Sequence, residues 1–209
     1  LHATGMTELS TFTIETMGGV VRLSLQVNDV GRVGSATVEM GRADFRPQSL
    51  PSLIETDELV LEPIEVAGRK LAFTGVSVGN PHCVVFKGRG EKWTDQEFHE
   101  IGPALENHPV FPNRVNVQFA IPLDDHTVKI LIWERGAGET LASGSSACAA
   151  ASAAVRLGLA QSPVIVQSKG GRMRVDVDDD FNLVLDGPVA EVVRGRLSPS
   201  FVRYLNKEE

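Results

Sequence analysis

The sequence predicts an α+β fold arranged in two lobes, and three observations carry that expectation. Short segments of alternating apolar and polar residues recur along most of the chain. One alanine-rich stretch has the composition of a buried helix. A stretch with two prolines and no period, residues 42–53, separates the first strands from the rest and places a domain boundary near residue 44.

The elements follow in order. LHATGM, residues 1–6, reads as the last turn of a helix closed by Gly5, which implies further sequence of the same fold ahead of Leu1. Residues 11–16, 20–27 and 35–40 alternate as half-buried strands, with turns at Gly18-Gly19 and over 28–34. Strands resume at 59–66, 70–78 and 83–86. Thr94 and Glu97 then form a capping box, so a helix starts there and runs to about Glu106, disturbed at Gly102-Pro103. Residues 114–120 and 127–133 are apolar and β-branched enough to be inner strands. SSACAAASAAVRL, residues 145–157, is a helix stopped by Gly158, and its small side chains place it inside a lobe. Four last strands are expected at 164–167, 172–177, 182–185 and 190–193. The acidic cluster Asp176, Asp178, Asp179 and Asp180 falls between two of them as a solvated hairpin turn, since it lacks the glycine and distal Glu of a calcium loop.

Composition narrows the function classes. The 209 residues carry 20 Lys and Arg against 27 Asp and Glu, a formal charge of -7, and no basic run exceeds two residues, which argues against a nucleic-acid partner. With 42% hydrophobic and 22% charged residues and a mean hydropathy of -0.02, the chain has a core and is not disordered. No segment is long and apolar enough to span a membrane and no signal peptide is evident, so the cytoplasm is the expected location. Cys83 and Cys148 are too few for a disulfide framework and are read as reduced, buried thiols, while the five histidines show no metal-binding spacing.

Polar groups concentrate where a plain core needs none. The segments are GNPHC at 79–83, RVNVQF at 114–119 and ERGAGETLASGSSAC at 134–148. In the last, a strand ends in Glu134-Arg135, passes through glycines and enters a helix at Ser145. Such a start gathers unpaired N–H donors and suits an anion, though Ser143 or Ser145 capping an ordinary glycine loop accounts for it equally. Asn80-Pro81 reads as a turn and His82 as a satisfied histidine at a strand edge. Asn116, inside an apolar strand, needs partners that either a ligand or a neighbouring loop can supply.

Taken together and in this order, the three segments resemble the diaminopimelate epimerase family, whose second half carries G-N-P-H, a V-N-V-x-F strand, and E-R-G-A-G-E-T followed by a cysteine-containing helix start. The resemblance implies a pseudo-symmetric fold of two lobes, each a β-sheet wrapped around a central helix, with the substrate in the cleft between them. It assigns 1–44 and 193–209 to the N-terminal lobe and 45–192 to the C-terminal lobe, and it implies that the family's N-terminal part, with its first catalytic cysteine, precedes Leu1. It also implies a homodimer and cofactor-independent inversion at the α-carbon of an amino acid, LL- to meso-diaminopimelate in lysine biosynthesis. Residue by residue, the resemblance makes Ser143, His82 and Glu134 the catalytic set. Asn80 and Asn116 contact the distal end of the substrate, Glu134 and Arg135 its charged groups, and the N–H groups of Gly144 and Ser145 the reacting carboxylate. Cys148 is structural.

Ser143 stands where the family has its second catalytic cysteine. A hydroxyl cannot hold the anion at neutral pH without an adjacent base. Three readings therefore stand: an epimerase, a related racemase or dehydratase using Ser143 opposite a single cysteine, and a binding homologue or Cys-to-Ser variant without activity.

Overall fold

The computed structural model describes residues 1–16, 19–193 and 195–205. Its strands are β1 (Thr11–Thr16), β2 (Gly19–Val27), β3 (Val33–Arg42), β4 (Glu62–Val66), β5 (Arg69–Ser77), β6 (Pro81–Phe86), β7 (Asn116–Asp124), β8 (Thr127–Glu134), β9 (Gly138–Thr140), β10 (Val164–Ser168), β11 (Gly171–Val177) and β12 (Asn182–Pro188). Its helices are α1 (Asp95–Glu106), α2 (Gly144–Arg156) and α3 (Pro199–Leu205).

The strands form one sheet in the order β1-β2-β3-β12-β11-β10-β8-β7-β6-β5-β4, with β9 paired to β8 off this path. Two pairs are parallel, β6 with β7 and β8 with β10. Parallel neighbours need a crossover, and the two long helices supply them: α1 joins β6 to β7, and α2 lies between β8 and β10. Alternation along the strands then divides the core by sheet face. Cys83, Val85, Val117 and Phe119 pack with Phe98, Ile101 and Leu105 of α1. Val84, Ala120, Ile130 and Ile132 pack with the alanines of α2. The sheet curls around α2, which packs against β5 to β8 and β10 to β12, so residues Ser146 to Ala154 are all buried.

Around these cores the sequence expectations meet local physics. The α+β class is found, the cysteines are free and buried, and Gly158 ends α2 at φ 67°. The Gly5 end of the first turn is left-handed as expected, though that turn is a 3-10 helix, His2–Thr4. The expected strand at 190–193 is not formed: these residues are exposed, Val192 to 93%, and no strand among the described residues meets them. β4 starts only at Glu62 and β7 only at Asn116, since Leu61 (φ 55°) and Arg114 (φ 58°) are left-handed and break the extended run. Pro103 does not interrupt α1, which continues through it to Glu106. Of the turn expected at Gly18-Gly19, Gly18 lies outside the described residues, as do 194 and 206–209 of the segment assigned to the N-terminal lobe. β3 pairs with β12, so the sheet runs on across residue 44, while every residue described as buried falls within 43–185. Among the described residues no helix is long and apolar enough to cross a membrane.

The capping box is present in full, Thr94 Oγ1 accepting from Glu97 N–H at 3.1 Å and Glu97 Oε2 accepting from Thr94 N–H at 2.9 Å. Lys87 Nζ donates to the same carboxylate at 2.7 Å, and this partner with the cap holds Glu97 at about 2, below its usual 4.5. A carboxyl group depressed on folding adds stability above its unfolded value and loses it as pH falls. Glu97→Gln is therefore expected to flatten the loss of stability between about pH 4.5 and 2, read from urea midpoints across that range. An unchanged acid limb would show that this box does not couple to folding.

Candidate active site

The three polar segments converge at the end of the sheet where β6 and β7 begin and β8 ends. The parallel register sets His82 beside Asn116 and Val84 beside Gln118. With alternation, His82, Asn116 and Gln118 share the face that looks onto the start of α2. Gln118 Nε2 donates to Ser146 Oγ in the first turn of α2 at 3.1 Å.

Ser143 is the N-cap of α2 in extended conformation, and its side chain makes no capping bond. The N–H groups of Gly144, Ser145 and Ser146 have no acceptor within the helix, as in any first turn, so this end presents donors and the positive end of the dipole. A Cβ at 144 would lie 2.9 Å from the end of the Leu185 side chain, which would have to shift to admit it. Ser143 Oγ lies 3.4 Å from Ser145 Oγ, Asn80 Nδ2 donates to Ser145 Oγ at 3.5 Å, and Asn80 Oδ1 lies 2.9 Å from His82 Nε2. Four of the expected site residues thus form one chain of hydrogen-bonding groups. No carboxylate or imidazole bonds the Ser143 hydroxyl among the described residues.

His82 is not at a strand edge. It is fully buried between β5 and β7, and burial, with Arg135's charge nearby, pushes its imidazole down to about 3. It is therefore neutral across the physiological range, and among the described residues neither its Nδ1 nor Gln118 Oε1 has a partner in hydrogen-bonding geometry, though Gln118 lies close enough to act on the imidazole. Burial also pushes the thiols up, Cys148 to about 12 and Cys83 further, so neither supplies a thiolate.

Asn116 obtains its partners from the protein: Nδ2 donates to Pro81 C=O at 2.9 Å and Oδ1 accepts from Arg135 N–H at 3.0 Å. It ties the Asn80-Pro81 turn to the Glu134-Arg135 turn. Glu134 Oε2 accepts from Thr140 Oγ1 at 3.4 Å, and Arg135, exposed, donates from Nη1 to Asn113 C=O at 3.1 Å. Glu106, buried at the end of α1, accepts from Trp133 Nε1 and Gly136 N–H, each at 2.8 Å, and from Arg114 Nη1 at 3.0 Å. Sequence reasoning passed over Gln118, Ser146 and Glu106. The signal for Gln118 was present, a second polar residue two places after Asn116 in the same apolar strand. Cavities of about 590 and 460 Å³ lie elsewhere, along residues 47–57 and around Arg42, Phe45 and Arg156.

This arrangement, an open helix N-terminus with hydroxyls and amides beside it on a curled mixed sheet, occurs on a fold shared with amino-acid epimerases and racemases. A hydroxyproline epimerase from Agrobacterium vitis superposes at TM-score 0.64 with 16% identity, covering 90% of this chain and 60% of its own. A predicted epimerase from Pseudomonas aeruginosa superposes at 0.56 with 19% identity, covering 90% and 66%. The family profile for diaminopimelate epimerase matches residues 74–192. Relatives include diaminopimelate epimerase 2 of Nostoc sp., 39% identical over 93% of this chain and 66% of its own, and diaminopimelate epimerase of Leptospira biflexa, 40% identical over 92% and 68%. The chain belongs to the diaminopimelate epimerase family and spans about two thirds of the length of these relatives.

Proposed function

We propose that this chain forms the carboxylate-binding part of a cofactor-independent epimerase that inverts the α-carbon of diaminopimelate, within lysine biosynthesis. The observation that carries the reading is the open first turn of α2, with Gly144 and Ser145 N–H groups unpaired directly behind Ser143. As the α-proton leaves, charge moves onto the substrate carboxylate, and donors fixed there beforehand stabilise it without reorganising. Ser143, at the mouth of that turn, is the group facing the α-carbon. His82, neutral, acts as a fixed hydrogen-bonding partner for Asn80 rather than as a base. Glu134 and Arg135 take the charged groups of the substrate, and Asn80 and Asn116 line its distal end, Asn116 through the turns it ties together. The division into lobes near residue 44, a homodimer and a cytoplasmic location belong to the same proposal, supported by the family resemblance.

Solvent deuterium incorporation at the α-carbon of diaminopimelate tests it, with retention or inversion read by chiral chromatography. Exchange with inversion is the expected result, and no exchange and no binding would sink the proposal. A second reading is favoured by one observation, the hydroxyl at 143: abstraction from one face only, as in a racemase-related dehydratase. Exchange without inversion selects it.

The role of Arg135 yields a separate expectation. A guanidinium offers a bidentate fork to a carboxylate, a serine hydroxyl a single bond. Arg135→Ala is expected to weaken diaminopimelate binding by roughly tenfold or more, against a few-fold at most for Ser145→Ala, in calorimetry. Equal losses would remove Arg135 from the ligand-binding set.

A further inference from the structure

We infer that Glu106 is a positioning residue for the Glu134-Arg135 turn, holding that turn in its ligand-ready shape before any ligand arrives. This inference rests on the proposal that the turn binds substrate, and it begins from a cost. Glu106 is 6% exposed and sits in the last turn of α1, where the helix dipole disfavours negative charge. A buried carboxylate there needs compensation.

Three donors provide it, and they are not generic neighbours. Trp133, partly buried near the end of β8, packs its indole against α1 at Gly102, where a Cβ would meet Trp133 Cδ2 at 2.8 Å. Gly102 and Glu106 are four residues apart and share a helix face, so the indole that rests on the first donates its Nε1 hydrogen to the second. Gly136 N–H reaches the other carboxylate oxygen from within the turn, at φ 81°. Arg114, left-handed just before β7, closes the set with Nη1.

The consequence lies in the neighbouring amide. Arg135 N–H is held by Asn116 Oδ1 and Gly136 N–H by Glu106 Oε1, so two consecutive main-chain amides are clamped by side chains from β7 and α1. Ala137 N–H to Glu134 C=O, 3.1 Å, closes the turn between them. A loop held this way has little freedom left to lose on binding, which is where preorganised sites gain affinity. Glu106 touches no ligand in this scheme and acts through the backbone.

The test uses Glu106→Met, which keeps a side chain of similar length but removes both acceptor oxygens, so neither Gly136 N–H nor Trp133 Nε1 keeps its partner. Two readouts are taken: amide hydrogen exchange at Gly136 in the free protein, and KM and kcat for α-proton exchange on diaminopimelate. The expected result is at least roughly tenfold faster exchange at Gly136 with amides of α2 unchanged, and KM raised by about tenfold with kcat within about twofold. Arg114→Ala, which removes one donor from a half-exposed side chain, serves if Glu106→Met does not fold, and smaller shifts in the same directions are expected. Unchanged exchange at Gly136 in the folded variant overturns the inference. So does faster exchange with an unchanged KM, which would make Glu106 purely structural. Should the unsubstituted protein neither bind nor exchange diaminopimelate, the functional proposal has failed, and exchange at Gly136 alone decides whether Glu106 clamps the turn.

Discussion

Ser143→Cys is expected to raise α-proton exchange on diaminopimelate by about 10² to 10⁴-fold, the range over which a well-matched acid or base acts. The reason is acidity at a defined place. A thiol ionises near 8.5 in water, and the N-terminus of a helix lowers it further by offering N–H donors and the positive end of the dipole. Residue 143 is the N-cap of α2, and the donors behind it are unpaired. Among the described residues the serine hydroxyl in the same place has only another hydroxyl, Ser145 Oγ at 3.4 Å, within reach, and His82 is neutral and committed to Asn80. Ser143→Ala provides the counterpart, and exchange is expected to fall to the solvent background if Ser143 carries any proton at all. Both rates come from mass spectrometry of the amino acid recovered from D2O. An equal rate in the serine and cysteine proteins would place the reacting carbon somewhere other than the start of α2.

Phe98→Ala is the substitution expected to cost most in stability, about 3 to 5 kcal/mol. Phe98 is 1% exposed on α1 and meets Phe119 and Trp133 edge-on at 5.2 and 5.6 Å between centroids, so its removal empties the middle of the aromatic cluster that joins α1 to β7 and β8. For a chain of this size the midpoint of thermal unfolding should fall by roughly 10 °C, measured by calorimetry. A fall of only a degree or two would mean that this face of the sheet unfolds independently of the other.

What the sequence disclosed and what it concealed have physical causes. α2 was legible because a run of alanines between Ser145 and Gly158 has no good alternative to a helix packed closely on every side, and α1 because a capping box is a local signal that tertiary context did not have to complete. β9, with three residues, is too short to show a period. α3 carried a signal that was passed over, a Ser-Pro start whose Ser198 Oγ accepts from Phe201 N–H at 3.3 Å. The apolar residues near 192 looked like a strand because periodicity reports a preference for burial, and whether a neighbour exists to satisfy it is decided elsewhere in the chain. The motif turns around Asn80, Glu134 and Ser143 were readable, and the structure brings them together. Glu106 was not, since a lone acidic residue near the end of an amphipathic helix looks like any solvated charge until three donors from distant segments arrive around it.

The pairing of β3 with β12 sets the order in which the molecule can be assembled. Thr37 and Asp186, hydrogen-bonded at 2.8 Å across that seam, are 149 residues apart in sequence. As the chain leaves the ribosome, the β1–β3 meander therefore emerges long before the strand that will hold it, and it must wait through the synthesis of both crossover helices. Within this chain, none of its residues with described burial is fully buried. The entropy of closing so long a loop is paid only after β10 to β12 have formed around α2, which makes the β3–β12 seam a late one to close.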